Sequence, residues 1–158
     1  MSDATLKNWL PVWLDPFERT IHCRKVNSSD NLDLNLPFFG SAVDALEAAE
    51  PDAKTETFAL DALPLGDGRD APGIISHASR CGSTLLAQAF AALPDHTVLG
   101  EASAISSTLF VKDGSREVLR ALIATMNQWQ PANQVVIKET SVNVIRASRR
   151  LEAQPNTP

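Results

Sequence analysis

The chain has 158 residues, a formal net charge of -5, 44% hydrophobic and 21% charged residues. At roughly 150 residues per domain it should form one compact unit that buries about two-thirds of its unfolded surface, and the composition excludes disordered, collagen-like and coiled-coil classes. The acidic balance gives no general attraction to nucleic acid or to an anionic membrane, so any anion site must be built locally from a few groups. Cys23 and Cys81 stand far apart with no Cys-x-x-Cys or Cys/His cluster, which disfavours a disulfide scaffold or a zinc site and fits a reducing compartment. The apolar stretches fall short of a membrane span and the Met1-Ser2-Asp3-Ala4 start lacks the basic region of a signal peptide, so the expected location is cytoplasmic.

Residues 1–70 read as an N-terminal extension and residues 71–158 as a core. From Asn8 to Asp15, Trp9 and Trp13 are interleaved with Leu10, Val12 and Leu14, and Pro11 and Pro16 forbid regular helix, so this is an extended segment. Phe17–Val26 reads as a strand, Asn27–Asn31 as a turn, and Ser41 as the N-cap of a short helix that runs to Glu50 and stops at Pro51. Thr55–Leu60 is a further strand, and Pro64–Pro72 a loop rich in Gly, Pro and acids.

The core then alternates strand and helix. Ile74–His77 is a strand, Ser83–Leu93 a helix with Leu85, Leu86, Ala89, Phe90 and Leu93 on one face, and Thr97–Leu99 a second strand. Arg116–Trp129 is a helix with Val118, Leu119, Leu122, Ile123 and Met126 in helical register, Val135–Ile137 a third strand, and Val142–Leu151 a last helix. Such alternation predicts an α/β fold with right-handed crossovers, a parallel sheet flanked by helices, and a ligand at the carboxyl ends of the strands.

Three polar clusters, Ser79–Thr84, Gly100-Glu101 and Lys138-Glu139-Thr140, each sit just past a predicted strand. In a parallel sheet those ends meet on one rim, so Arg80, Glu101 and Lys138 can face one ligand. Gly82 lets the backbone approach an anion, the N–H groups of Gly82, Ser83 and Thr84 open a helix, and Arg80 offers a planar fork to phosphate or sulfate oxygens. Aligned on Gly82, the nucleotide pattern Gly-x-x-x-x-Gly-Lys-Ser/Thr finds His77 at its first glycine and Ser83 at its lysine, which disfavours a nucleotide kinase-like phosphotransferase. Cys81 lacks the arginine that a cysteine phosphatase loop needs, Ala87 standing there instead.

The segment HASRCGSTLLAQAF resembles the phosphosulfate-binding loop of the P-loop sulfotransferase family. VLGEASAI resembles the second-strand segment that carries a catalytic Glu in tyrosylprotein-type and related bacterial members, and VVIKETSVNVI their third-strand segment with its Lys. The pattern NWLPVWLD, HCRKV and LPFFG is similar to bacterial sulfotransferase-like proteins of the kind found beside aspartyl β-hydroxylase or cupin-type proteins. The resemblance implies a P-loop NTPase-like sheet and the cosubstrate 3'-phosphoadenosine 5'-phosphosulfate, with no metal. By the same resemblance Arg80, Cys81, Gly82, Ser83 and Thr84 bind the 5'-phosphosulfate. Glu101 takes the proton of an acceptor hydroxyl, and Lys138 with Arg80 stabilises the transferring charge.

The family's 3'-phosphate-binding Arg and Ser follow in an RDP-like segment, which this sequence does not reach before Pro158. The chain therefore reads as a truncated member with three core parallel strands and an uncovered edge through which a homodimer can form. A catalytically incomplete anion-binding or interaction module is the competing expectation. Arg146, Arg149 and Arg150 read as a solvated helix end rather than a phosphate clamp. His77 reads as a core or rim histidine, His22 and His96 as surface residues, and Trp9, Trp13, Phe38 and Phe39 as packing.

Overall fold

A computed structural model describes residues 6–63, 71, 73–129, 134–146 and 148. The N-terminal part forms an antiparallel sheet from β1 (Trp9–Asp15), β2 (Thr20–Lys25) and β3 (Thr55–Ala59), in that order, with α1 (Phe39–Ala49) inserted between β2 and β3. The core carries β4 (Gly73–Ile75), α2 (Ser83–Ala91), β5 (His96–Gly100), α3 (Ser103–Ser107), α4 (Ser115–Asn127) and β6 (Gln134–Lys138). Its three strands are parallel in the order β4-β6-β5, so the fold is α/β with a separate antiparallel sheet. No described helix is long and apolar enough to cross a membrane.

Inserting the third strand between the first two reverses the direction of the connection. Right-handed crossovers then place the connecting helices on opposite faces. The side chains follow: Ile75, Val98 and Val136 pack with Ala87 and Phe90 of α2, whereas Leu99, Val135 and Ile137 join α3, α4 and the N-terminal residues Leu10, Leu14, Ile21 and Leu46. The N-terminal sheet is thus bound to the core by one continuous apolar cluster. Pro11 is accommodated in β1 at an outer strand, where the register with β2 shifts between Pro11 and Trp13.

Several expected elements are corrected. Residues 17–19 belong to the turn between β1 and β2, and Phe17 is 84% exposed, because Arg19 takes a positive φ that closes the hairpin. Helix α1 starts at Phe39 rather than after Ser41, and β4 stops at Ile75, leaving Ser76 and His77 to the following loop. Helix α2 ends at Ala91 rather than Leu93, and its expected buried face is buried only at Phe90, which packs half-buried on the sheet: Leu85 is 78% exposed, Leu86 and, beyond the helix, Leu93 about half exposed, and Ala87 on the neighbouring face is the one helix residue in the interior. The sheet ends at β4 on that side, so among the described residues nothing covers the outer turn of α2. Ser141–Arg146 is a 3-10 helix with Val142 and Ile145 exposed, where an α-helix was expected from Val142, and residues 149–151 lie outside the described set. The expected loop at Pro64–Pro72 also lies largely outside it. His22 is not a simple surface residue, since its ring meets Trp13 at 4.7 Å and its Nδ1 lies 2.9 Å from Thr57 Oγ1; His96 stacks on Phe90 at 6.2 Å.

The loop after β2 is fixed by Glu50. Burial alone raises its pKa, but its carboxylate accepts from the Asn31 side chain (2.9 Å) and from the N–H groups of Asn27 (2.9 Å) and Ser28 (3.0 Å), and these bonds outweigh burial and hold it below its ordinary value of 4.5. A depressed carboxylate stabilises the fold above the unfolded-state value and loses that contribution as pH falls through the folded one. Glu50→Gln is therefore expected to cost about 1.5–3 kcal/mol at pH 7. The gap in melting temperature between variant and wild type should begin to narrow only on acidification below 4.5; a gap that is unchanged all the way down the acid limb would contradict this account.

Candidate functional site

The strand register sets the site. Ile75 of β4 and Gly100 of β5 both lie opposite Lys138 of β6, so the three strand ends are level. Two further backbone bonds continue the alignment, Glu101 N–H to Lys138 O (2.7 Å) and Glu139 N–H to Ile75 O (3.1 Å). This brings Glu101 and Lys138, which sequence placed on one rim, into direct contact: Lys138 Nζ donates to Glu101 Oε1. Lys138 is 1% exposed and the Glu101 side chain 27%. The ammonium is thus taken from water on the strength of one carboxylate.

From β4 the chain passes through residues 76–82 into α2. Ser76 and Ala78–Gly82 are exposed, Ser83 and Thr84 half-buried. Gly82, at φ +84°, caps the helix with its carbonyl accepting from Leu85 and Leu86, and no side chain caps the N-terminus. Arg80 (φ +61°) and Glu101 (φ +56°) adopt the left-handed region that non-glycine residues rarely occupy. Such conformations cost about 1–3 kcal/mol each and concentrate where function constrains the backbone. Cys81 is exposed on this loop, whereas burial, and then the nearby Glu56 carboxylate, push the Cys23 thiol up to about 12 and make it inert.

The sequence reading missed Phe38. Phe39 is buried as expected, but Phe38 is 43% exposed and its ring centroid lies 4.9 Å from Lys138 Nζ, a cation–π contact at the site. The segment before it runs beside β5: Asn35 accepts from Val98 N–H through Oδ1 (2.8 Å) and donates from Nδ2 to His96 O (3.4 Å), while Gln88 donates to the Asn35 carbonyl (3.1 Å). One side-chain amide thereby occupies the outer edge of β5 and delivers Pro37 and Phe38 to Gly100. A Cβ at Gly100 would stand 2.7 Å from the Pro37 carbonyl oxygen, so only glycine admits this approach. The only sequence signal was the Leu-Pro-Phe-Phe-Gly block itself, in which nothing local separates a buried phenylalanine from an exposed one.

His77 also enters the site. Its Nε2 is 2.8 Å from Glu139 O and 4.0 Å from Glu101 Oε1, and its Nδ1 is 3.0 Å from Ala78 O. Arg146 does not meet this group in the structure; its guanidinium lies 3.9 Å from the Phe110 ring centroid, and Arg149 and Arg150 are outside the described residues. Chemically the rim offers an exposed arginine on a glycine-ended loop, a helix N-terminus with free donor capacity, and a carboxylate bonded to a buried lysine. That combination suits a tetrahedral anion on the loop and a hydroxyl at the carboxylate. No family model, curated protein or solved structure matches the chain. Of the three residues expected to face one ligand, Glu101 and Lys138 meet, whereas Arg80 stands exposed on its loop and does not touch the pair.

Proposed function

We propose that the protein is a sulfotransferase-like protein of P-loop type that binds the 5'-phosphosulfate of 3'-phosphoadenosine 5'-phosphosulfate on residues 80–84 and transfers the sulfuryl group to an acceptor hydroxyl. The observation that carries the reading is the convergence of the loop after β4, Glu101 after β5 and Lys138 at the end of β6 on one rim. In this mechanism the acceptor oxygen attacks sulfur as Glu101 takes its proton. The bond between sulfur and the phosphate oxygen breaks, and 3'-phosphoadenosine 5'-phosphate leaves with the charge stabilised by Arg80, Lys138 and the N–H groups at the start of α2.

One observation favours a second reading, an anion-binding module without catalysis: Glu101 and Lys138 are engaged with each other, and Lys138 is 1% exposed. Calorimetric titration with 3'-phosphoadenosine 5'-phosphate tests the donor site. Saturable binding is expected for the wild type, and Arg80→Ala should weaken it by about 1.5–3 kcal/mol, the loss of a charge-assisted contact. A folded wild type that binds no nucleotide overturns the donor assignment. Binding without sulfuryl transfer to any of a panel of sugar, phenol, lipid and peptide hydroxyls selects the module.

A further inference from the structure

We propose that His77 is a positioning residue of the anion loop: its imidazole fixes the root of residues 76–82 to the end of β6, so that Arg80 and the start of α2 stand in register with Lys138. The proposal rests on the anion-site reading given above.

Among the described residues the loop is held at its exit and at its root. At its exit, Gly82 is bound into α2 through the bonds that its carbonyl accepts from Leu85 and Leu86. At its root, the attachment runs through Glu139, the 1% exposed residue that follows Lys138. Glu139 N–H donates to Ile75 O (3.1 Å), Ser76 Oγ donates to Glu139 Oε2 (3.3 Å), and His77 Nε2 faces Glu139 O (2.8 Å). The backbone bond extends the sheet, and the serine bond is long; the imidazole is a short side-chain tie between the loop and the residue that follows β6.

Its surroundings explain why a ring is needed there. The His77 side chain is 9% exposed, between Glu139 O, Ala78 O and the Glu101 carboxylate, which belong to three different segments. Beyond it the chain is exposed from Ala78 to Gly82 and contains two positive-φ residues, Arg80 and Gly82. A strained, exposed loop keeps its geometry only if its ends are fixed. Releasing the root lets Arg80 and the N–H groups of Gly82, Ser83 and Thr84 wander relative to Lys138, and an anion must then pay their ordering on binding.

Glutamine and asparagine separate position from polarity at residue 77. The glutamine amide nitrogen reaches about as far as an imidazole Nε2, whereas the asparagine nitrogen stops near the place of Nδ1. Amide hydrogen exchange over residues 76–84 and affinity for 3'-phosphoadenosine 5'-phosphate are measured for wild type, His77→Gln and His77→Asn. A single hydrogen bond sets the scale at roughly two- to tenfold. His77→Asn is expected to speed exchange and weaken binding within that range, and His77→Gln to restore both to within about twofold of wild type. Equal behaviour of the two variants, or unchanged exchange in His77→Asn, overturns the proposal. Failure of both to fold overturns it as well, by making the ring a packing element of the fold. If the wild type binds no nucleotide, the donor reading fails while the exchange comparison still decides whether His77 anchors the loop.

Discussion

Glu101→Gln is expected to destabilise the folded chain by about 3 kcal/mol, at the lower end of the 3–5 kcal/mol for breaking a buried pair, whereas Lys138→Met should cost about 1 kcal/mol or less. The two halves of the pair differ in exposure. Lys138 is 1% exposed, and its ammonium has the Glu101 carboxylate on one side and the Phe38 ring at 4.9 Å on another. Removing the carboxylate leaves a buried cation facing an amide oxygen and an aromatic face, and neither replaces a counter-charge. Removing the cation leaves a carboxylate with 27% of its side chain exposed, which water can solvate. Chemical denaturation at pH 7 measures both, and the larger loss corresponds to a fall of roughly 6–12 °C in a domain of this size. Combining the two substitutions should recover most of the loss. Equal costs for the single variants would show that Lys138 is not held dry. The asymmetry also guides activity work, since Glu101 variants must be assayed well below their own melting temperature before a lost rate is ascribed to a lost base.

The site is thus a place where stability is given up. Arg80 and Glu101 hold left-handed backbone conformations, Lys138 is buried, and Gly100 is pressed against the Pro37 carbonyl. Each of these features is unfavourable locally and persists only because the surrounding structure over-determines it. The N-terminal part does that by running Asn35 along β5 and placing Phe38 at the strand end. It therefore functions as a wall of the site as well as an extension of the core.

What was legible in the sequence follows from which forces are local. Helix α4 showed its apolar stripe because Val118, Leu119, Leu122, Ile123 and Met126 all face one large partner, and each is buried. The strand ends showed themselves because a run of β-branched residues stops abruptly at Lys138, and Gly100-Glu101 closes another. The segment of helix α2 showed an equally regular stripe in Leu85, Leu86, Phe90 and Leu93, yet the helix stops at Ala91 and of the four Phe90 alone packs on the sheet. Periodicity records which residues share a face and not whether anything packs on it. His77 was read as a core or rim histidine and is one, at the rim, but Asn35 and the exposed position of Phe38 escaped for a different reason. Their roles depend on carbonyls and rings from segments remote in sequence, and a side-chain amide that completes a strand edge leaves no pattern in the chain itself.

Leu10→Ala is expected to cost about 3 kcal/mol, within the 2–5 kcal/mol of buried leucine truncations, and to do so in a single transition that involves the whole chain. Leu10 is fully buried in β1, in the N-terminal sheet, but it belongs to the same apolar cluster as Leu119 and Leu122 of α4 and Ile137 of β6. If that cluster is one cooperative core, a cavity on the N-terminal side must be felt at the rim formed by Glu101 and Lys138. The tryptophans allow this to be read separately. Trp9 and Trp13 lie in β1, and Trp129 follows α4, packed against the same cluster. With Trp9 and Trp13 replaced by phenylalanine, fluorescence reports Trp129 alone, and it should fall together with the far-ultraviolet circular dichroism signal, both shifted by roughly 6–12 °C on adding Leu10→Ala. A Trp129 transition that Leu10→Ala leaves in place would divide the chain into two independent units. The wall that Phe38 provides would then be an attachment rather than part of the folding unit, and the site would be able to lose it without unfolding.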